Sequence, residues 1–198
     1  QRLDRGEASE GFAIPGVRIA AGLDINRVKQ QGRNVIGILK ADPPSDLAPV
    51  MIGAHVDHLG RGEISGSLAK GSEHGEIHYG ADDNASGVAA MLTAMAKFAG
   101  AAPEPRRSLL ACGFGAEEIG LDGSYWYVNE NIDEVATNGI GMVNLDMIGV
   151  GDTLQIGNID YGIPGTGGNQ LKDYAQEKAT AMGMPWESFA AGENSDHT

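Results

Sequence analysis

Five short stretches hold the side chains that could bind a dication or move a proton. They are His55-Val56-Asp57-His58, Gly80-Ala81-Asp82-Asp83-Asn84-Ala85-Ser86-Gly87, Gly115-Ala116-Glu117-Glu118-Ile119-Gly120, Asp146, and Glu193-Asn194-Ser195-Asp196-His197. Taken singly, each has an ordinary explanation: Asp83 or Asn84 caps a helix, Asp82 solvates a turn, and Glu117-Glu118 is a wet face. Taken together, they crowd carboxylates around imidazoles. Adjacent acids repel and one of them gives up its charge, unless a cation sits between them. Two histidines (His55, His197) and three carboxylates (Asp82, one of Glu117 and Glu118, Asp146) are more than one tetrahedral zinc with an open position needs. They suit two zinc-class ions about 3.5–4 Å apart, bridged by one carboxylate. The remaining glutamate is then free to act as a base. Asp57 is placed to accept the second ring N–H of His55 and fix its tautomer. His74 and His78 fall in an aperiodic stretch and take no metal role.

The elements that must position these groups alternate between buried strands and amphipathic helices. Val17 to Val28 alternates apolar and polar residues, and Arg33 to Lys40 follows after Gln30-Gln31-Gly32, which predicts an antiparallel hairpin. Pro49 to Ala54 is a short apolar run ending at His55, as in a strand buried on both faces. Gly60 to Tyr79 is a long Gly- and Ser-rich loop, expected to wall a site. Ala85 to Ala99 places Val88, Met91, Leu92, Met95 and Phe98 at helical spacing. Ser108 to Phe114 predicts a buried strand running into the Glu pair, Ser124 to Asn129 a short helix, and Ile140 to Leu145 a strand ending at Asp146. Thr153 to Ile156 predicts one more strand, and Gly167 to Gly183 another helix. Polar groups at strand ends are where ligands bind in open α/β sheets. The expected fold class is therefore α/β, a three-layer sandwich with a mixed central sheet and helices on both faces.

The order of these motifs resembles the two-zinc aminopeptidase family that includes the bacterial leucyl aminopeptidases, with glutamate carboxypeptidase and the glutaminyl cyclases as more distant relatives. The resemblance runs from about the first hairpin to the end and is carried by the stretches quoted above, together with Asn144-Leu145-Asp146-Met147-Ile148-Gly149. It implies two Zn2+ ions bridged by Asp82, with His55 and Asp146 completing one site and Glu118 and His197 the other. It also implies Glu117 as the general base and a cis peptide between Asp82 and Asp83. The whole chain, 1–198, would then be a single catalytic domain. In the family that domain continues past the final histidine, whereas this sequence stops at Thr198.

Composition narrows the partners. A net charge of -13 disfavours nucleic acid and anionic membrane surfaces. No apolar run approaches the roughly 20 residues of a membrane span. The single cysteine, Cys112, lies in a strand-like run as a small core residue. Gln1 in place of methionine reads as a processed or trimmed chain, and a secreted or periplasmic location is the expectation. No sequence feature sets an oligomeric state. Peptides with a free N-terminus are the expected substrates: an amine suits acidic surroundings, whereas a terminal carboxylate wants an arginine clamp. No arginine follows Arg107. The alternatives are a carboxypeptidase of the same family, a single-zinc glutaminyl cyclase that would not need His55, and an inactive binding scaffold. No G-x-S-x-G elbow or G-x-x-x-x-G-K-[ST] loop occurs, which disfavours a serine hydrolase and a P-loop enzyme.

Overall fold

The computed structural model describes residues 15–18, 20–25, 29–63, 66–101, 105–138, 141–158, 168–190 and 195–196. The chain divides into two units, Gln1–Gln31 and Gly32–Thr198. In the first unit the described residues form no strand, and Val17, Leu23 and Ile25 are exposed. The expected hairpin therefore does not form among the described residues. Alternation marks a strand only where a sheet face receives its apolar side. The second apolar run does become a strand, β1 (Val35–Leu39), but its antiparallel partner is β3 (Leu109–Phe114).

The second unit is built on a four-stranded mixed sheet in the order β1-β3-β2-β4. β2 (Val50–His55) lies parallel to both β3 and β4 (Gly141–Asn144). From β2 the chain crosses to β3 through helix α1 (Gly87–Ala99). From β3 it crosses back past β2 to β4 through α2 (Asp122–Glu130) and α3 (Ile132–Asn138). Because such crossovers are right-handed, a reversal of direction puts their helices on opposite faces. The core agrees. Ile52, Ala54 and Ala111 pack with Met91 of α1, while Met51, Cys112 and Phe114 pack with Tyr127 of α2. Successive residues of β2 and β3 thus feed two cores, which is why both strands read as unbroken apolar runs. The layered α/β architecture expected from the sequence is the one observed.

β5 (Leu154–Asn158) and β6 (Trp186–Ala190) form a separate parallel pair, with α4 (Gly168–Ala181) between them in the chain. Two of these elements escape a reading of the sequence. The seven residues of α3 are too few to show a helical period, and Trp186-Glu187-Ser188-Phe189-Ala190 has no clean apolar alternation.

Candidate metal centre

β2, β3 and β4 run parallel, so their C-terminal ends meet at one edge of the sheet. His55 is the last residue of β2 and only 1% exposed. Its Nδ1 lies 3.1 Å from the Asp57 carbonyl oxygen. A carbonyl can only accept, so Nδ1 carries a proton and Nε2 is turned to the site. There Nε2 lies 3.1 Å from Asp83 Oδ1 and 3.3 Å from Asp146 Oδ1. The sequence suggests the Asp57 carboxylate as the tautomer-fixing acceptor, but that group is 3.9 Å from Nδ1. It is occupied elsewhere, accepting the backbone N–H groups of Glu117 at 3.1 Å and Glu118 at 3.3 Å. The turn that offers those two N–H groups begins at Ala116, which holds a left-handed φ of 63°.

The acidic loop before α1 corrects the sequence reading by one residue. Asp83, not Asp82, faces the imidazoles. Its Oδ1 points to His55, and its Oδ2 lies 3.8 Å from His58 Nδ1. Two groups of potential metal-binding side chains result, His55 with Asp83 and Asp146, and His58 with Asp83 and Glu118. Asp83 is shared by both. Asp82 instead accepts the Gly149 N–H at 2.7 Å, and its backbone carbonyl takes the Ser86 hydroxyl at 2.6 Å. The cause is local. Asp83 and Asn84 leave helical geometry (φ -102°, ψ 96° and φ -131°, ψ 42°), so the two aspartates meet different partners. The expected cis peptide falls one bond later, between Asp83 and Asn84.

Asn84 fastens this loop to the neighbouring strand end. Buried at 3% exposure, it donates to the Leu145 carbonyl (2.9 Å) and accepts the Gly87 N–H (3.0 Å). Gly87 is required for that approach. A Cβ there would stand 2.2 Å from the Leu145 oxygen.

Of the groups expected at the site, the structure brings His55, Glu118 and Asp146 to the sheet edge beside Asp83, with Glu117 and Asp57 adjoining. His197 lies outside the described residues. His58 takes no metal role in the sequence reading, yet its Nδ1 sits 2.5 Å from Glu118 Oε1. No spacing rule announces it, because a histidine in a strand-end turn has no periodicity to betray its direction. His78, excluded as a ligand from the sequence, pairs through Nε2 with Ser67 Oγ at 3.0 Å and is in neither group.

The electrostatics follow from this crowding. Burial raises the Glu117 carboxyl to about 7, against the pull of His55 and with the push of Asp196, Asp146 and Glu118. Burial alone would lower His55. The Asp146 hydrogen bond and the charges of Asp146, Glu117 and Asp83 outweigh it and lift the imidazole to about 9. Asp196, 2% exposed, is raised mainly by burial, opposed by the Ser124 hydroxyl and His55. The donor set fits a zinc-class dication. Each group offers imidazole nitrogen and carboxylate oxygen, all within 4.8 Å of one another, and the ion-pair partners described for Asp83 and Glu118 are histidines.

Comparison with known proteins points the same way. Residues 34–198 match the model of peptidase family M28. An aminopeptidase of Pseudomonas aeruginosa (strain UCBPP-PA14) is 30% identical over 159 residues, covering 78% of this chain and 26% of the relative. A zinc aminopeptidase from Bacillus subtilis superposes with a TM-score of 0.61 at 27% identity, over 83% of this chain and 36% of that one. An aminopeptidase from Aneurinibacillus sp. strain AM-1 gives 0.58 at 29% identity, over 83% and 35%. The chain thus spans about a quarter of the curated aminopeptidase it matches and little more than a third of these structures.

Proposed function

The chain belongs to peptidase family M28, and on that premise we propose that it is a zinc-dependent aminopeptidase with a dinuclear site bridged by Asp83. The observation that carries this reading is the division of the Asp83 carboxylate between two groups of potential ligands, one oxygen toward each imidazole. His55, Asp83 and Asp146 would hold one zinc. Asp83 and Glu118 would hold the other, with nitrogen supplied by His58, by His197, or by both.

Zinc held by these residues would supply Lewis-acid chemistry, polarising a carbonyl and lowering the pKa of a nearby water toward neutrality. Glu117 is the base that takes the water's proton and returns it to the leaving amine. In the metal-free protein burial raises its carboxyl to about 7, and a bound dication would lower that value toward the ionised form a base needs. Asp57 fixes where that carboxyl starts, by holding the Glu117 and Glu118 backbone N–H groups. His55 keeps Nε2 toward the site because the Asp57 carbonyl occupies Nδ1.

A preference for free N-termini is supported by the surplus of carboxylates, which suit an ammonium group. It is supported further by the arginines. Arg61 gives its guanidinium to the Gly75 carbonyl within its own loop, and Arg107 gives its to Ala48. Neither serves as a carboxylate clamp. Mass spectrometry of paired peptides, free and acetylated at the N-terminus, tests this with the zinc-loaded protein. Stepwise loss from the free-amine peptide alone is expected. Loss from the C-terminus, or from both peptides alike, would refute the aminopeptidase assignment.

A further inference from the structure

The acidic turn between β3 and α2 adopts a backbone that its own residues do not favour. Ala116 and Leu121 hold left-handed φ angles of 63° and 61°, which side chains beyond glycine rarely tolerate. Such strain persists only where surrounding contacts hold it in place. Part of the hold is internal. The Asp122 N–H donates to the Ala116 carbonyl at 3.1 Å, and the Gly120 and Leu121 N–H groups donate to the Glu117 carbonyl, each at 3.0 Å. The tip of the turn, at Glu117 and Glu118, is held by the Asp57 carboxylate.

The two legs of the turn are held by another side chain, brought by another strand. Asn34 immediately precedes β1 and is half-buried. The pairing of Val35 with Gly113 delivers it to the end of β3. Its Oδ1 accepts the Gly115 N–H at 3.1 Å, and its Nδ2 donates to the Gly123 carbonyl at 2.8 Å. One leg offers a donor and the other an acceptor, which is the pairing a single carboxamide satisfies. The legs also approach more closely than side chains would allow. A Cβ on Gly123 would stand 2.2 Å from the Gly115 oxygen and 2.5 Å from Asn34 Oδ1, and one on Gly115 would stand 2.6 Å from the Arg33 oxygen.

We propose that Asn34 is a positioning residue for Glu117 and Glu118. It clamps the base of the turn whose tip Asp57 holds, and the two clamps together fix where both carboxylates stand. This rests on the zinc reading above, in which Glu117 is the base and Glu118 a ligand. Asn34 itself belongs to neither group of potential ligands.

The test compares the full chain of wild type, Asn34→Ala and Asn34→Asp by amide hydrogen exchange after chelator treatment, and by kinetics after zinc loading. Asn34→Ala removes both hydrogen bonds, so exchange across residues 116–121 should quicken about 10-fold while β2 exchanges as in wild type. Asn34→Asp keeps the Gly115 acceptor but turns an oxygen toward the Gly123 carbonyl, and it should loosen the same residues. In both variants kcat should fall about 10–100-fold with KM within about twofold, as for displaced catalytic groups. Wild-type exchange in the turn, equal quickening of the turn and β2, or a loosened turn with wild-type kcat would each overturn the positioning role. Absence of peptide hydrolysis by the wild type would overturn the zinc reading, and the exchange rates would still decide the clamp. If Asn34→Ala does not fold, Asn34→Asp decides by the same measurements.

Discussion

The Asp57 carboxylate accepts the backbone N–H of Glu117 at 3.1 Å and that of Glu118 at 3.3 Å. A side chain just beyond β2 therefore sets the geometry of the acidic turn that follows β3. The neighbouring imidazole is held by the Asp57 backbone carbonyl, not by this carboxylate. The two functions of Asp57 are separable by mutation. Asp57→Asn keeps the carbonyl and replaces one acceptor oxygen with a donor that opposes an N–H. Turnover should fall by about 100-fold, on the scale of a misplaced catalytic group, with both zinc ions retained. Zinc analysis beside steady-state kinetics checks this. Loss of zinc would mean that the carboxylate is what orients His55.

Glu117→Gln separates the base from the ligands. The amide is nearly isosteric but takes no proton. A loss of about 10²–10⁴-fold in turnover is expected, with zinc stoichiometry unchanged by elemental analysis. If a zinc ion departs with the substitution, Glu117 is a ligand and Glu118 becomes the candidate base.

Stability of the metal-free protein should fall as pH rises. Glu117 and His55 both have folded pKa values above their ordinary ones, about 7 against 4.5 and about 9 against 6.5, and Asp196 is shifted in the same direction. The stabilisation linked to a raised pKa is complete below the ordinary value and disappears as pH passes through the folded one. The window therefore opens near 4.5 and closes near 9. Thermal unfolding of chelator-treated protein across that range should show a falling Tm. Zinc needs neutral His55, so its affinity should rise across the upper part of the same window, with proton release on binding at pH 7. A metal-free Tm that rises with pH would contradict these protonation states.

Packing at the start of α1 gives a test independent of chemistry. Gly87→Ala would drive a methyl to 2.2 Å from the Leu145 oxygen and 2.3 Å from Asn84 Oδ1. Overpacking of this kind costs about 1–3 kcal/mol, and denaturant titration should find a loss in that range. An unchanged midpoint would mean that the loop and the β4 end are not fastened as described.

The sheet was legible where sequence and environment agree. Val50–His55 and Leu109–Phe114 are apolar on both faces because α1 and α2 cover both, and such runs are visible without a structure. The site edge was legible for the same reason, since each of these strands runs directly into polar residues. What escaped were directions within short turns. Asp82 and Asp83 are chemically alike and adjacent, and only the non-helical backbone at Asp83 and Asn84 decides which faces His55. His58 and Asn34 contribute through contacts about 60–90 residues away in the chain, to Glu118 and to the legs of the acidic turn, and no local pattern encodes such a meeting. Among the described residues the expected hairpin is absent, and the partner that β1 does take, β3, lies far along the sequence where no local pattern announces it.

The shared carboxylate is the centre of the account, and counting zinc in two neighbouring variants tests it most directly. Asp83→Asn leaves a single neutral oxygen where two charged ones are divided between the groups, so it should weaken zinc at both positions and lose it from at least one. Asp82→Asn keeps an oxygen that can accept the Gly149 N–H, so it should keep two zinc ions per chain with little change in stability. The reverse pattern, zinc retained in Asp83→Asn and lost in Asp82→Asn, would contradict the assignment of the bridge.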